Sequence, residues 1–195
     1  MIRSQPQLSE ATIAFLNSEA AKFASATGFE LRELRLVDSV YSEADARKKG
    51  FIPIWTKLYA GLDPKEQSFA IALYYASKAD EGSQITEILK VCGLTICCVF
   101  LALPFVRYPL ISFALLAVSQ VIFWGGLFRM MPRVMRTAFQ SAVDLTGDMA
   151  SGQSYLLKRR AVMMGSDPSD VVTNPRRYVN WLYRACVPPE YRVGL

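Results

Sequence analysis

Six cations are the residues of this sequence best suited to a defined chemistry. Arg129, Arg133 and Arg136 recur at spacings of four and three, with Gln140 four further on, so a helix would carry them on one face. Lys158, Arg159 and Arg160 follow as an uninterrupted cluster. A guanidinium fork donates paired hydrogen bonds to phosphate. Close to a bilayer, such groups suit the headgroups of anionic phospholipids, cardiolipin among them, or an acidic partner surface. Positive charges that only orient a membrane hairpin would occupy the same positions.

Other chemistries find little support. The chain contains no histidine, which removes histidine-ligated haem, most catalytic zinc sites, Ser-His and Cys-His catalysis and histidine proton relays. Cys92, Cys97 and Cys98 sit inside one apolar run and Cys186 stands alone, a spacing that fits neither zinc nor an iron–sulfur cluster. They read as small packing residues in a reducing compartment. Asp144, Asp148, Asp167 and Asp170 lack a partner motif that would make an acid–base pair. No nucleophile elbow, phosphate-binding glycine loop or dinucleotide fingerprint appears. The expectation is a protein that is not an enzyme and has no catalytic residue, cofactor or metal site.

The cations must be positioned by the stretch that precedes them. From Val91 to Phe128 the chain is apolar, and Arg107 is its only charge. Val91 to Val106 is uncharged for 16 residues and Tyr108 to Phe128 for 21. As helices these measure about 24 and about 31 Å, against a hydrocarbon thickness of about 30 Å. Ile85, Ile88 and Leu89 lengthen the first if Lys90 snorkels. The pattern predicts a transmembrane hairpin over 85–130, with spans of about 87–106 and 108–129. Within it Thr95, Ser112, Ser119 and Gln120 are the strongly polar side chains and none ionises, which argues against a proton or ion path. Gly93, Ala102, Ala114, Ala117, Gly125 and Gly126 permit close helix contact, and Gln120 suits a hydrogen bond to a neighbouring helix. Lys78, Lys90, Arg129, Arg133 and Arg136 ring the open end, so the positive-inside rule puts both termini on the cytoplasmic side, or the matrix side of a mitochondrion.

The flanks read as helical. In the region 1–84, Ser9 caps a helix that Gly28 stops, a second is expected over about 31–49, and 51–62 reads as an irregular apolar connector whose Trp55 and Tyr59 suit the core, or else a membrane interface. Asp63-Pro64-Lys65-Glu66 has the form of a capping box with proline at the first helical position, opening a buried helix to about Asp80. No apolar core follows the basic start of the N-terminus, so no secretory signal is expected, and Glu10 and Glu19 count against a mitochondrial presequence. In the region 131–195, an amphipathic helix is expected from near Pro132, lying along the membrane interface or on a partner. Two further helices are expected, at about 153–164 and from Asn174-Pro175 to about Cys186.

The fold class expected is therefore an all-α membrane protein, a two-span helical hairpin flanked by amphipathic and soluble helices. Hydrophobic residues make up 52% of the 195 and the mean hydropathy is +0.19, which suits an anchor with substantial polar flanks. Residues 1–90 hold 11 Lys and Arg against 12 Asp and Glu, while 129–195 hold 10 against 5. The positive excess thus lies beside the membrane, and no aromatic-basic interleaving suggests nucleic acid. The function expected is an accessory subunit of a large membrane complex, in the inner mitochondrial membrane, within a respiratory-chain or ATP-synthase assembly. A free-standing lipid-binding or membrane-remodelling hairpin is the second expectation, and an anchored enzyme sharing its site with another chain the third.

Replacing Arg129, Arg133 and Arg136 together by Gln is expected to weaken association with anionic phospholipid by on the order of tenfold or more, at about 1 kcal/mol per cation. Vesicle flotation with and without anionic lipid reads this. Unchanged binding would leave the three arginines an orienting role alone.

Overall fold

The structure, a computed structural model, describes residues 8–79, 81–102, 104 and 107–192. Helix α1, Glu10–Thr27, starts where Ser9 Oγ accepts the Thr12 amide at 3.1 Å. It ends at Gly28, whose φ of 72° suits a residue without a β-carbon. Leu16, Ala20, Phe23 and Ala24 form its buried face.

The expected helix over 31–49 divides in two. Leu34–Val37 is a strand, β1, and only Val40–Lys48 is helical, as α2. The expected connector holds a second strand, β2, Ile52–Trp55, and a short helix, α3, Thr56–Tyr59. The strands pair in parallel, Leu34 opposite Ile52 and Val37 opposite Trp55. All four residues of β2 are buried, and a short buried strand carries no alternation for periodicity to detect. Pro53 is tolerated because each strand of a two-stranded sheet is an edge. Helix α2 begins late because Ser39 and Ser42 cap one another: Ser39 Oγ accepts the Ser42 amide and Ser42 Oγ the Ser39 amide. Trp55 and Tyr59 are buried in the core, as expected.

The box at Asp63 forms as read. Asp63 Oδ1 accepts the Glu66 amide and Glu66 Oε2 the Asp63 amide, both at 2.9 Å. It opens α4, Pro64–Ala79, which is buried along most of its length. Asp80 lies outside the described residues. Then come α5, Glu81–Ala102, and α6, Pro109–Thr146, packed together as a helical hairpin.

Helix α6 departs from expectation at Pro132, which neither starts nor stops it. One helix of 38 residues, about 57 Å, runs from the closed end of the hairpin into the polar part of the protein. The stripe expected to lie on a membrane or partner is folded in part into the protein's own core: Ala138 and Ala142 are buried, with Phe139 beside them, while Met131 and Met135 stay exposed. Gly147, at φ 70°, ends it. Helix α7, Met149–Met163, is capped by Asp148, which accepts the Ser151 amide at 3.0 Å. Next comes α8, Asp170–Thr173. The single helix expected from Asn174 is instead a 3-10 turn, Pro175–Tyr178, and a short helix, α9, Trp181–Cys186, because Asn180 caps a fresh start by accepting the Tyr183 amide.

One hydrophobic core joins both flanks, running from Leu16 through Phe69 and Tyr75 to Phe139, Tyr155, Tyr183 and Val187. Gly152 lies where α7 crosses α4 and α6. A β-carbon there would come within 2.7 Å of the Phe69 ring and 3.0 Å of Phe139 Cζ. Gly152→Ala is expected to destabilise the folded domain by about 1 to 3 kcal/mol through overpacking, seen as a lower Tm in detergent. An unchanged Tm would mean that the rings yield freely.

Candidate membrane-embedded interface

Helix α6 is the one helix, among the described residues, long and apolar enough to cross a membrane. Only 6% of its most apolar stretch is buried, so that stretch is not part of this chain's core. Leu110, Phe113, Val121, Trp124 and Phe128 stand out from it. Helix α5 contributes a shorter apolar segment, Ile88–Leu101. Leu103, Phe105 and Val106, in the expected first span, lie outside the described residues. The fold is thus mostly helical with one candidate span, compatible with membrane association.

The helix contact is specific in register. A β-carbon on Gly126 would come within 2.9 Å of Val91 Cγ1, so Val91 fills the space that glycine leaves. Ser119, the buried residue of the span, lies one heptad before Gly126 and faces the same way. Because the helices run antiparallel, the Val91–Gly126 contact sets Lys90 level with Leu127, near the end of the uncharged run of α6, and Arg129 lies just beyond. The polar boundary is therefore at one level on both helices.

The expected packing residues separate into inner and outer positions. Gly126 packs within the hairpin, whereas Gly93, Ala114, Ala117, Gln120 and Gly125 are exposed. Ala102 ends α5 and its side chain is outside what the structure describes. Two hydroxyls in the hairpin are satisfied within their own helices, Thr95 Oγ1 donating to Val91 O at 2.9 Å and Ser119 Oγ to Leu116 O at 2.7 Å.

The six cations do not converge. Arg129 and Arg133 are exposed on α6 below the apolar band, with no polar partner among the described residues. Arg136 donates from Nε to the Ala185 carbonyl at 2.8 Å and ties α9 to α6. Lys158 and Arg159 turn inward. Lys158 Nζ meets Glu66 Oε2 at 2.7 Å and the Gly61 carbonyl at 3.1 Å. Arg159 grips both oxygens of Glu43, at 3.0 and 3.2 Å, and Arg47 meets the same carboxylate. Tyr155 and then Glu43 raise the Arg159 pKa, against the opposing effect of burial. Arg160 is half-buried at the end of α7. Sequence spacing could not separate these roles, because the partners Glu43 and Glu66 lie about a hundred residues away.

The carboxylates are engaged locally. Asp148 accepts the Ser151 amide and hydroxyl, which hold its pKa below the usual carboxylate range. Asp167 is lowered in the same way by the hydroxyl and amide of Ser169. Asp144 accepts from Gln140 at 3.2 Å. Glu19 accepts from Ser68 beside an open groove of about 640 Å³ that Phe15, Lys22 and Asp148 also line. Burial pushes the Cys186 thiol up to about 11. No family model matches this chain, and no curated protein or solved structure is found to be similar to it.

Lys158→Ala would leave the Glu66 carboxylate, 3% exposed, without its counter-charge. The expected loss is about 3 to 5 kcal/mol, read as a fall in Tm, and Glu66→Gln combined with Lys158→Met should recover much of it. A variant as stable as the parent would refute the clamp.

Proposed function

We propose that this chain is a membrane-anchored, non-catalytic accessory subunit, holding a helical domain against one face of a bilayer while its hairpin packs on neighbouring membrane helices. The exposed apolar surface of α6 carries this reading. A face so apolar needs cover from lipid or from other helices, since water would meet it at about 25 cal/mol per Å², and the chain's own core lies elsewhere.

The two-span topology has a mechanical support. Residues before and after the hairpin share one core, so both flanks lie on the same side of any membrane the protein enters. If α6 crosses, α5 must return. The common boundary at Lys90 and Arg129 supports the same crossing, with both termini on the cytoplasmic or matrix side. Exposed Arg129 and Arg133, one turn apart below the apolar band, support contact with anionic phospholipid, cardiolipin included. The setting proposed is the inner mitochondrial membrane, in a respiratory-chain or ATP-synthase assembly; it rests on the lone hairpin and the lack of a catalytic constellation in the sequence. A free-standing lipid-binding hairpin is the second reading, favoured by those two unpaired arginines.

Alkaline carbonate extraction should leave the protein in the membrane pellet. A cysteine placed by Arg107→Cys should react with an impermeant maleimide only from the side opposite both tails. In mild detergent the chain should migrate within a complex of high mass. Release by carbonate would overturn the anchor, labelling from the same side as the tails the second crossing, and migration alone at low mass the subunit reading.

A further inference from the structure

Among the described residues, the apolar part of α6 carries one polar group whose surroundings do not account for it. Gln120 lies near the middle of the apolar part of α6, about 18 Å along the helix from Tyr108 and about 12 Å from Phe128. It is exposed on the side turned away from α5. Thr95 and Ser119 spend their hydroxyls on carbonyls of their own helices, and Ser112 lies near the closed end, within reach of the interface. The carboxamide of Gln120 has no partner among the described residues. It is too short to reach either headgroup layer. At that depth there is no water to take its hydrogen bonds, so they must come from another protein segment.

The geometry points to a second copy of this chain, and we infer that α6 forms a parallel homodimer seam centred on Gln120. The inference rests on the reading that α6 crosses the bilayer. A carboxamide both donates and accepts, so two of them can exchange hydrogen bonds across a twofold axis. Every copy is anchored with its domain on the same side, because one core binds both flanks of the hairpin. Two copies therefore present Gln120 at the same depth in parallel helices without further adjustment. A different partner would need its own polar group at that level.

The neighbouring residues have the matching period. Leu110, Phe113, Ala117, Gln120 and Trp124 are exposed and spaced three, four, three and four apart, the seam of a left-handed helix pair. Ala117, one turn before Gln120, leaves room for close approach, and Phe113 and Trp124 flank the polar pair with broad apolar surface. A single polar residue in such a seam also fixes register, since any slip separates the two carboxamides.

The full-length protein in its native membrane tests this. Ala117→Cys, made with Gln120 kept and Cys92, Cys97 and Cys98 changed to Ala, should give an oxidative disulfide dimer. Gly93→Cys in the same background, exposed on α5, should not. The remaining native thiol, Cys186, is buried and its pKa is raised to about 11. In mild detergent, Gln120→Leu should weaken self-association by about five- to thirty-fold, the range of an interhelical hydrogen bond. Gln120→Asn should keep much of the association. Equal cross-linking at both positions, or association undiminished in Gln120→Leu, would overturn the proposal, as would a cross-link from position 117 to a different protein. That last result would leave the subunit reading intact. Release of the protein by carbonate would sink the membrane reading itself.

Discussion

Phe69 sits between two aromatic partners from the other end of the chain. Its ring centroid lies 5.3 Å from that of Phe139 and 6.1 Å from that of Tyr155, both tilted. Such contacts contribute about 0.5 to 1.5 kcal/mol each beyond the area they bury. Their structural consequence is larger. Phe69 belongs to α4, before the hairpin, and Phe139 and Tyr155 to α6 and α7, after it. The junction closes the flanks on each other, and Gly152 gives the rings space. An insertion that carries α6 across a bilayer is thereby required to bring the chain back.

Helix α6 presents two different surfaces in succession. Up to Phe128 its exposed surface is apolar except at Gln120, and the polar residue it buries, Ser119, is small. Beyond Arg129 it becomes a striped helix whose apolar face enters a core and whose cations face outward. Pro132 falls where this change occurs. A proline in a helix interior removes one amide donor and crowds the carbonyl four residues earlier, yet the helix continues, held by the packing of Ala138, Phe139 and Ala142 beyond it. The apolar stretch and the domain are therefore joined by continuous helix rather than by a hinge.

The ion pairs of the domain follow from the same closure. Glu66 is engaged twice, by the amide of Asp63 at the start of α4 and by Lys158 of α7. Glu43 holds Arg47 within its own helix and Arg159 from α7. Each pair fastens an element from before the hairpin to one from after it. Largely buried pairs of this kind add less to net stability than their short distances suggest, because desolvation offsets much of the attraction. The cavity among Glu43, Arg47, Tyr59, Tyr155 and Arg159 measures about 20 Å³, the space of a single water.

Local chemistry settled what could be read from the sequence. The box at Asp63 and Glu66, the cap at Ser9, the stop at Gly28 and the apolar run of α6 each depend on residues within a few positions of one another or on unbroken composition. Tertiary contacts decided the rest. Strands β1 and β2 exist because each has the other to pair with, and the four buried residues of Ile52–Trp55 gave no period by which to announce it. Lys158 and Arg159 looked like their neighbour Arg160, and like Arg129, until Glu66 and Glu43 were brought to them across about a hundred residues. The stripe of α6 beyond Pro132 was legible as an apolar face, but not as one filled by the chain itself. Periodicity reports that a face must be covered, whereas only the fold determines what covers it.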